Sequence, residues 1–239
     1  MKKLFYGLLL LSTSVCFALP KYAPETQPLN RAHNYLTSHP SPDFWSLIPY
    51  YAAQQNEASC SVASVTMLIN AIRSRQDLSS EERLVTQSEL LKKVKNDFWA
   101  KAVSEKVGFG VTLDQLGDLI QKSLKAYGIE KAQVLVTHVP LKRTPEFIKK
   151  FHQLLLENEK SSKNYLIINF DQKIYTGDAP VGHFAPVGAF DPANNQVLVL
   201  DPDRTWYEPY WVSEERLLNG MATHDSASNQ TRGYIYIEF

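Results

Sequence analysis

The feature that most constrains this chain is an apolar segment that begins at Cys60 and continues at helical spacing through Val65 and Ile72. This spacing predicts a core helix from Cys60 to about Arg73. A thiol in the first turn of a helix lies near the positive end of the helix dipole, which favours the reactive thiolate. The ordinary alternative for a single cysteine is a buried small hydrophobic residue. Cys60 is therefore a candidate nucleophile that needs support from the rest of the chain.

The N-terminal residues have the pattern of a secretory signal peptide. Two lysines precede the short apolar run 4–11, and Ala18 provides a small residue at a cleavage point, which predicts a signal peptide over residues 1–18. The run is short for a membrane span, and an uncleaved anchor or a lipid-modified Cys16 are the alternatives. We therefore expect an exported, periplasmic protein that has no stable membrane association after cleavage.

Charge and cysteine content limit the function classes. The 239 residues carry 25 basic and 25 acidic side chains, and their interspersed charges leave no electrostatic footprint for nucleic acid. The sequence has two cysteines, and if Cys16 leaves with the signal peptide, Cys60 has no intramolecular partner in an oxidising compartment. An unpaired cysteine is a liability there unless it is buried or used.

The order of secondary-structure signals predicts an α+β fold. Residues 19–44 are rich in proline and predict an irregular N-terminal arm, and residues 45–239 are long enough for one domain with a large core. Capping-box patterns at Thr86 and Thr112 predict helices in the first half, and Pro145 predicts the start of another. Strand-like segments of the second half are 133–139, 165–170, 183–190, 196–201 and 233–239. Helices followed by a mostly antiparallel sheet form an α+β domain.

A histidine and an aspartate in the strand-rich half are candidate partners for the cysteine. The turn-forming residues 191–195 predict a hairpin. If residue 190 faces residue 196, His183 and Asp201 become diagonal neighbours on one face of the sheet, whereas a shift of one residue would separate them. Cysteine, histidine and carboxylate in this chain order are typical of papain-like nucleophilic enzymes. We therefore interpret the chain as an enzyme.

Each of these residues also has a purely structural alternative. His183 could be a core histidine bound to backbone groups, Gly188 could mark a β-bulge, and Asp201 could open a turn. A zinc site is not indicated, because the histidines are scattered and no CxxC or HxxxH spacing occurs.

A glutamine shortly before the cysteine is a candidate oxyanion-hole residue. Gln54 lies on the predicted loop that enters the helix. From there its side-chain amide can point at a developing oxyanion, with the backbone N–H of Cys60 as the second donor. Gln55 or Asn56 could act in the same way.

Several blocks of this sequence, in the right order from about residue 45 to the C-terminus, resemble the phytochelatin synthase family. The segment 54–70, with its Gln-x5-Cys-x-Val-Ala-Ser pattern, is similar to the nucleophile helix of that family, and the segment 182–188 is similar to its histidine segment. Further similar blocks are 111–113, 201–212, 225–226 and 231–234.

The resemblance implies a papain-like fold with a Cys60–His183–Asp201 triad and with Gln54 at the oxyanion hole. It also implies glutathione as the substrate, whose γ-glutamylcysteinyl group is transferred to Cys60 with loss of glycine. The acyl group then passes to a second glutathione, which gives phytochelatin, or to water, which gives γ-glutamylcysteine.

The family motifs also imply substrate-binding residues. By position, Asp225 and Arg232 would hold the amino and carboxylate groups of the γ-glutamyl moiety, and Arg204 would line the same pocket; opposite charges suit these pairings. No cofactor is implied as required by the chain. Heavy-metal ions such as Cd²⁺ and Zn²⁺ would act as activators or as metal–glutathione thiolate substrates, and a homodimer is compatible with this hypothesis.

Two departures from the family pattern bear on the product. The eukaryotic members carry a Cys-rich C-terminal region linked to metal sensing, which has no counterpart up to Phe239, so we expect hydrolysis to exceed phytochelatin formation. An acceptor pocket near Arg204 and Tyr207 would reverse this expectation. Ser61 stands where some relatives have glycine, and Pro202-Asp203 replaces a more apolar pair, which bears on acceptor preference.

The alternative functions are an exported papain-like peptidase for other peptides and a non-catalytic thiol or heavy-metal-binding protein.

Overall fold

The computed structural model of the protein describes residues 20–177 and 180–239. Within these residues the chain forms eight α-helices, a seven-stranded antiparallel sheet and a separate two-stranded ribbon. Helices dominate the first half and strands the second, so the predicted α+β class is confirmed. The predicted signal peptide, residues 1–18, lies outside the described residues. No helix in the described ranges is long and apolar enough to cross a membrane.

The helices are α1 (Asn34–Ser38), α2 (Pro42–Leu47), α3 (Cys60–Arg73), α4 (Gln87–Val94), α5 (Asp97–Ala102), α6 (Leu113–Ala126), α7 (Pro145–Asn158) and α8 (Glu214–Met221). The strands are β1 (Gln27–Pro28), β2 (Gln133–His138), β3 (Asn164–Asp171), β4 (Gly182–Asp191), β5 (Gln196–Val199), β6 (Tyr210–Ser213), β7 (His224–Asp225), β8 (Gln230–Thr231) and β9 (Gly233–Glu238). The strands β7 and β8 form the separate ribbon.

The large sheet is the middle layer of three. Its strand order is β1-β6-β5-β4-β3-β9-β2, and every neighbouring pair is antiparallel. Because side chains alternate along a strand, Ile167 of β3 belongs to the core under α3, α4 and α6, whereas Leu166 and Ile168 belong to the core under α7 and α8. The central strands are therefore apolar on both faces.

Helix α3 is buried along its whole length, from Cys60 to Arg73. It packs against β4 on one side and against α2, α4 and α6 on the others, as expected of a helix enclosed by protein on every side. The sequence predicted these bounds. The structure adds that a polar residue, Asn70, also lies inside, where its side chain exchanges two hydrogen bonds of 2.8 Å with the backbone of Val85.

The sequence signals that mark helix ends are confirmed. Thr86 and Thr112 each cap their helix with the side chain, and Glu89 and Gln115 return a hydrogen bond to the cap residue. Gly128, whose φ of 74° favours glycine, follows the end of α6. These motifs involve residues only three or four positions apart, so they can be recognised without knowledge of the tertiary structure.

The N-terminal segment differs from its prediction. Residues 20–44 are not an irregular arm, because they contain β1, α1 and the start of α2, and β1 pairs with β6 at the edge of the sheet. Asp43 is fully buried and accepts a hydrogen bond of 2.6 Å from the side-chain amide of Asn158. The segment is ordered by partners that are distant in sequence. The domain boundary at residue 45 stays a prediction.

The β4–β5 hairpin does not have the predicted register at its turn. Phe190 faces Val197 rather than residue 196. A slip of this kind moves each side chain of a strand to the opposite face relative to its partner strand. If it continued along the hairpin, the far end would be misaligned by one residue.

A β-bulge at Gly188 shifts the register back by one residue. Beyond the bulge, Val187 faces Val199, which is the alignment that the sequence predicted for the end carrying His183 and Asp201. A bulge inserts one extra residue on one strand and so shifts the register by one. The predicted proximity of His183 and Asp201 is therefore correct, although the predicted turn register is wrong.

Ser61 provides a test of packing around α3. The indole N–H of Trp99 donates to the hydroxyl of Ser61 at 3.1 Å, and both residues are buried. Ser61→Ala leaves this N–H without its partner, so we expect the free energy of unfolding, measured in urea, to fall by roughly 1–3 kcal/mol. Ser74→Ala, at the exposed C-cap position that follows the same helix, is the control. An equal loss in both variants would argue against the Ser61–Trp99 bond as the cause.

Candidate active site

Three side chains that are far apart in sequence meet at the start of β4. Cys60 is the first residue of α3, His183 is the second residue of β4, and Asp201 lies just beyond the end of β5. Nε2 of His183 is hydrogen-bonded to Oδ1 of Asp201 at 2.7 Å, and the side chain of Cys60 lies beside the same imidazole. Because Asp201 occupies Nε2, Nδ1 is the nitrogen left for the sulfur. All three residues are buried.

Asp201 is a fully buried carboxylate that is held by several donors. The hydroxyl of Tyr210 donates to Oδ2 at 2.7 Å, and the backbone N–H of Asp203 donates to Oδ1 at 2.9 Å. The hydroxyl of Tyr51 donates to the backbone oxygen of Asp201. Burial by itself raises the pKa of Asp201, but the charge of His183 and these hydrogen bonds outweigh burial and hold that pKa below its ordinary value.

The charged neighbours of His183 raise its pKa, whereas the charge of His183 lowers the pKa of Asp201. Burial lowers the pKa of His183, but the carboxylate of Asp201 and the sulfur of Cys60 raise it, and the net result is a pKa well above the ordinary histidine value. The imidazole is therefore favoured in its charged form. An imidazolium beside a cysteine sulfur is the arrangement that makes a cysteine nucleophilic near neutral pH.

Two candidate oxyanion-hole residues in the loop before α3, Asn56 and Gln54, make different hydrogen bonds. Asn56 is committed to the loop, because its side-chain amide donates to the backbone oxygen of Val103 at 3.0 Å and its side-chain oxygen accepts from a backbone N–H of the loop at 2.9 Å. The backbone N–H of Gln54 donates to the backbone oxygen of Pro202 at 2.8 Å. This bond ties the loop to the segment that follows Asp201. The oxyanion role of Gln54 stays a prediction.

A cleft of about 510 Å³ opens beside Cys60 and is lined by Arg232 and Asp225. Nη1 of Arg232 donates to the backbone oxygen of His224 at 2.7 Å and to the hydroxyl of Thr223 at 3.1 Å. Its Nε is buried and has no hydrogen-bond partner among the described residues. Arg232 is thus held in place while it retains donor capacity for an anionic ligand.

Gly182 allows Arg232 to lie close to the strand that carries His183. A Cβ atom at position 182 would be 3.0 Å from Nη2 and 3.2 Å from Nε of Arg232, which is closer than side-chain atoms normally approach. The glycine at this position is therefore explained by the space that the guanidinium occupies.

Asp225 and Arg204 have different surroundings. The carboxylate of Asp225 accepts from the backbone N–H of Ala227 at 3.1 Å and from the hydroxyl of Ser228 at 3.0 Å, so the β7–β8 ribbon presents it at the cleft. Arg204 is absent from the described residues that line this cleft. Its guanidinium lies over the ring of Tyr51 instead, 4.7 Å from the ring centroid. This stacking places the guanidinium over Tyr51, and the substrate-binding role of Arg204 stays a prediction.

Two polar residues at the site were not predicted from the sequence. Asn169 of β3 lines the cleft, and its side-chain amide donates to the backbone oxygen of His183 at 3.1 Å. Tyr210 is the hydroxyl donor to Asp201. Asn169 interrupts the apolar run that follows Asn164 in a buried strand, and this is the signal that could have indicated it, because buried polar groups need partners.

The contact between Cys60 and His183 can be tested without a substrate. We predict that His183→Ala slows alkylation of Cys60 by iodoacetamide at pH 6 by on the order of tenfold or more, because the imidazolium no longer favours the thiolate. Mass spectrometry of the peptide that contains Cys60 measures the rate and separates it from Cys16. His33→Ala removes an exposed histidine and is the control. If both variants react like the unmodified sequence, the imidazole does not activate the thiol.

Comparison with known proteins gives several relatives of one kind. The chain is 26% identical over 204 residues to glutathione gamma-glutamylcysteinyltransferase 3 of Lotus japonicus. This alignment covers 81% of this chain and 37% of that protein. It is 24% identical over 207 residues to glutathione gamma-glutamylcysteinyltransferase 1 of Triticum aestivum, with coverage of 81% and 35%. A segment of 75 residues is 41% identical to the enzyme of the same name from Schizosaccharomyces pombe, with coverage of 30% and 17%.

The chain therefore spans little more than a third of the length of these plant relatives. A family profile described as phytochelatin synthase matches residues 28–234, which is most of the chain and includes all the residues of the site described above. The α+β architecture, with a buried cysteine at the start of a core helix, is consistent with a papain-like domain of this family. The chain belongs to the phytochelatin synthase family.

Proposed function

We propose that the protein is a glutathione γ-glutamylcysteinyltransferase that forms an acyl-enzyme on Cys60. The observation that carries this proposal is the buried Cys60–His183–Asp201 contact at the wall of a cleft that also presents Arg232 and Asp225. A nucleophile and a pair of opposite charges therefore share one cleft, as recognition of a small zwitterionic substrate requires. Family membership and the names of the relatives support glutathione as that substrate.

The first half-reaction transfers the acyl group to the enzyme. The Cys60 thiolate attacks the carbonyl carbon between the cysteinyl and glycyl residues of glutathione, and the carbonyl oxygen becomes an oxyanion. The backbone N–H of Cys60 and the side-chain amide of Gln54 stabilise this charge. The C–N bond then breaks as His183 gives its proton to the leaving nitrogen, and glycine departs. The γ-glutamylcysteinyl group remains as a thioester on Cys60.

In this mechanism Asp201 keeps the base in position. Its carboxylate fixes the orientation and the tautomer of the His183 imidazole and stabilises the imidazolium that accompanies the thiolate. The hydrogen bond of 2.7 Å to Nε2 leaves Nδ1 to exchange a proton with the leaving nitrogen. Tyr210 and Tyr51 in turn hold Asp201.

The cleft beside Cys60 binds the γ-glutamyl end of the substrate. Arg232 pairs with its α-carboxylate and Asp225 with its α-ammonium, and each pairing is a charge-assisted hydrogen bond. The close fit of Arg232 against Gly182 sets the distance between this anchor and the reacting carbonyl. A peptide with an ordinary α-linkage would not present both charges in the same way.

The second half-reaction releases the acyl group. Water or the α-amino group of another glutathione attacks the thioester, with His183 as the base, and gives γ-glutamylcysteine or phytochelatin. Heavy-metal ions such as Cd²⁺ and Zn²⁺ act as activators or enter as thiolate complexes of glutathione. We further propose export to the periplasm through residues 1–18.

Removal of the nucleophile tests the mechanism. Cys60→Ala should lower glycine release from glutathione by roughly 10³-fold or more, because no acyl-enzyme can form. Alanine is a good helix former, so circular dichroism should show an unchanged fold. Mass spectrometry of the products gives the rates, with Ser74→Ala as the control.

The outcomes of this assay separate the alternatives. Glycine release that survives in Cys60→Ala would refute the acyl-enzyme. Cleavage of ordinary α-linked peptides without cleavage of glutathione would identify a different peptidase. Binding of Cd²⁺ through Cys60 without turnover would identify a binding protein.

The partition of the acyl-enzyme is a separate prediction. We expect γ-glutamylcysteine to be the main product at modest glutathione concentration, because water is present at every turnover whereas a second glutathione has to bind first. The share of phytochelatin should rise with glutathione concentration and with Cd²⁺–glutathione complexes, as read from the product masses. A mixture dominated by phytochelatin at modest glutathione concentration would show that the partition is the reverse.

A further inference from the structure

A second cleft, of about 460 Å³, adjoins the candidate active site. Val181 lines this second cleft, whereas its neighbour Gly182 lines the cleft beside Cys60. Glu57, on the loop that leads into Cys60, also lines the second cleft. The two clefts therefore flank the segments that carry the sulfur and the imidazole, and one of them remains without a role in the first half-reaction described above.

Asp203 places a buried carboxyl group at the wall of the second cleft. Only 4% of Asp203 is exposed, and its Oδ2 accepts a hydrogen bond from the side-chain amide of Gln172 at 3.3 Å. Its backbone N–H bonds to Oδ1 of Asp201, the same atom that binds His183. The backbone of Asp203 is thus tied to the carboxylate that holds the imidazole, and the charge of His183 acts on the Asp203 carboxyl group.

The other charges of the second cleft favour a cation. Glu57 adds a second acidic side chain, and Lys21 is the basic side chain among the described lining residues. The ammonium of Lys21 lies 3.6 Å from the carboxylate of Glu208, which offsets part of its charge. A cleft whose walls carry more negative than positive charge attracts cationic ligands.

We propose that the second cleft is the amine subsite of the reaction, in which Asp203 binds the protonated primary amine that leaves or that attacks the acyl-enzyme. This inference rests on the proposed function, because an acyl-enzyme formed by loss of an amine requires that amine to lie on the side of the imidazole. The amine has to bind in competition with water, so hydrolysis remains the main outcome at modest glutathione concentration and transfer rises with the concentration of the amine. The γ-glutamyl group occupies the cleft with Arg232, so the amine has to occupy the other one. An ammonium group on a carboxylate forms a charge-assisted hydrogen bond.

The transfer step balances with these residues. An ammonium group held by Asp203 gives one proton to the neutral imidazole of His183. The resulting amine nitrogen forms a bond to the thioester carbon, and the bond between that carbon and the sulfur breaks. Cys60 leaves as a thiolate beside the imidazolium. The nitrogen keeps one hydrogen in the new amide and releases the remaining proton to solvent.

Protonation of Asp203 should remove this selectivity. Burial raises the pKa of Asp203, and the charges of Asp201 and Glu57 raise it further, whereas the Gln172 hydrogen bond and the charge of His183 lower it; the net direction is upward. The preference for charged amines should therefore be present at high pH. It should be lost as the pH falls through a value above that of an ordinary aspartate.

The test compares two nucleophiles that react with the same acyl-enzyme. Glycinamide is a cationic amine, whereas hydroxylamine is mostly uncharged at neutral pH. Purified protein is incubated at pH 7 with glutathione and with each nucleophile, and mass spectrometry gives the ratio of glycinamide adduct to hydroxamate. Asp203→Asn should lower this ratio by at least about tenfold, since it removes the charge of the hydrogen-bond acceptor. Asp77→Asn, at an exposed site, is the matched control and should not change the ratio.

Each outcome bears on the proposal. An unchanged ratio in Asp203→Asn overturns it, because a merely structural effect would slow both nucleophiles alike through the shared thioester. If this variant does not fold, the original sequence still tests the proposal: at constant ionic strength, tetramethylammonium, a cation that cannot be acylated, should lower the use of glycinamide relative to hydroxylamine by competing for the acidic cleft. A ratio that this cation leaves unchanged overturns the proposal. Absence of glycine release from glutathione in the original sequence would instead refute the proposed function, and the amine subsite with it.

Discussion

The buried carboxylate of Asp201 is the group on which the rest of the site depends. A fully buried charge is costly unless it is paired and hydrogen-bonded, and Asp201 obtains its partners from three places: the imidazole of His183, the hydroxyl of Tyr210 and the backbone N–H of Asp203. These donors belong to β4, to β6 and to the loop after β5. The need to satisfy one carboxylate therefore fixes these three parts of the chain relative to one another.

Hydrogen bonds also connect the segment that carries Asp201 to the loop before the nucleophile. Tyr51, before the loop that leads into α3, donates to the backbone oxygen of Asp201, and the N–H of Gln54 donates to the backbone oxygen of Pro202. The loop that positions Cys60 and the loop that carries Asp201 are thus bonded directly to each other. Because α3 itself is enclosed by protein on every side, its first residue has little freedom to move away from the imidazole. The two clefts that flank this point differ in charge, as the proposed separate binding of the γ-glutamyl group and of the amine requires.

Local features of the fold could be predicted because their causes are local. The capping boxes at Thr86 and Thr112 and the spacing after Cys60 depend on residues within one or two helical turns. The predictions that were wrong concern segments whose structure depends on residues distant in the sequence. The prolines of residues 20–44 suggested irregular structure, yet pairing of β1 with β6 and the Asp43–Asn158 bond order the segment. In the hairpin, the predicted register was wrong at the turn and did not include the β-bulge at Gly188, which restores the predicted alignment at the far end.

The sequence by itself determined the chemical inventory: one cysteine at the start of a core helix, one histidine and one aspartate on adjoining strand-like segments, and the family to which they belong. The tertiary structure decided which charged and polar groups lie next to these residues. It set Arg232 against Gly182 in the cleft beside Cys60, held Arg204 over Tyr51, and brought Asn169 to the backbone of His183. These contacts join residues separated by long stretches of chain. Their distances follow from sheet register and from where loops can find hydrogen-bond partners, and no local pattern encodes either.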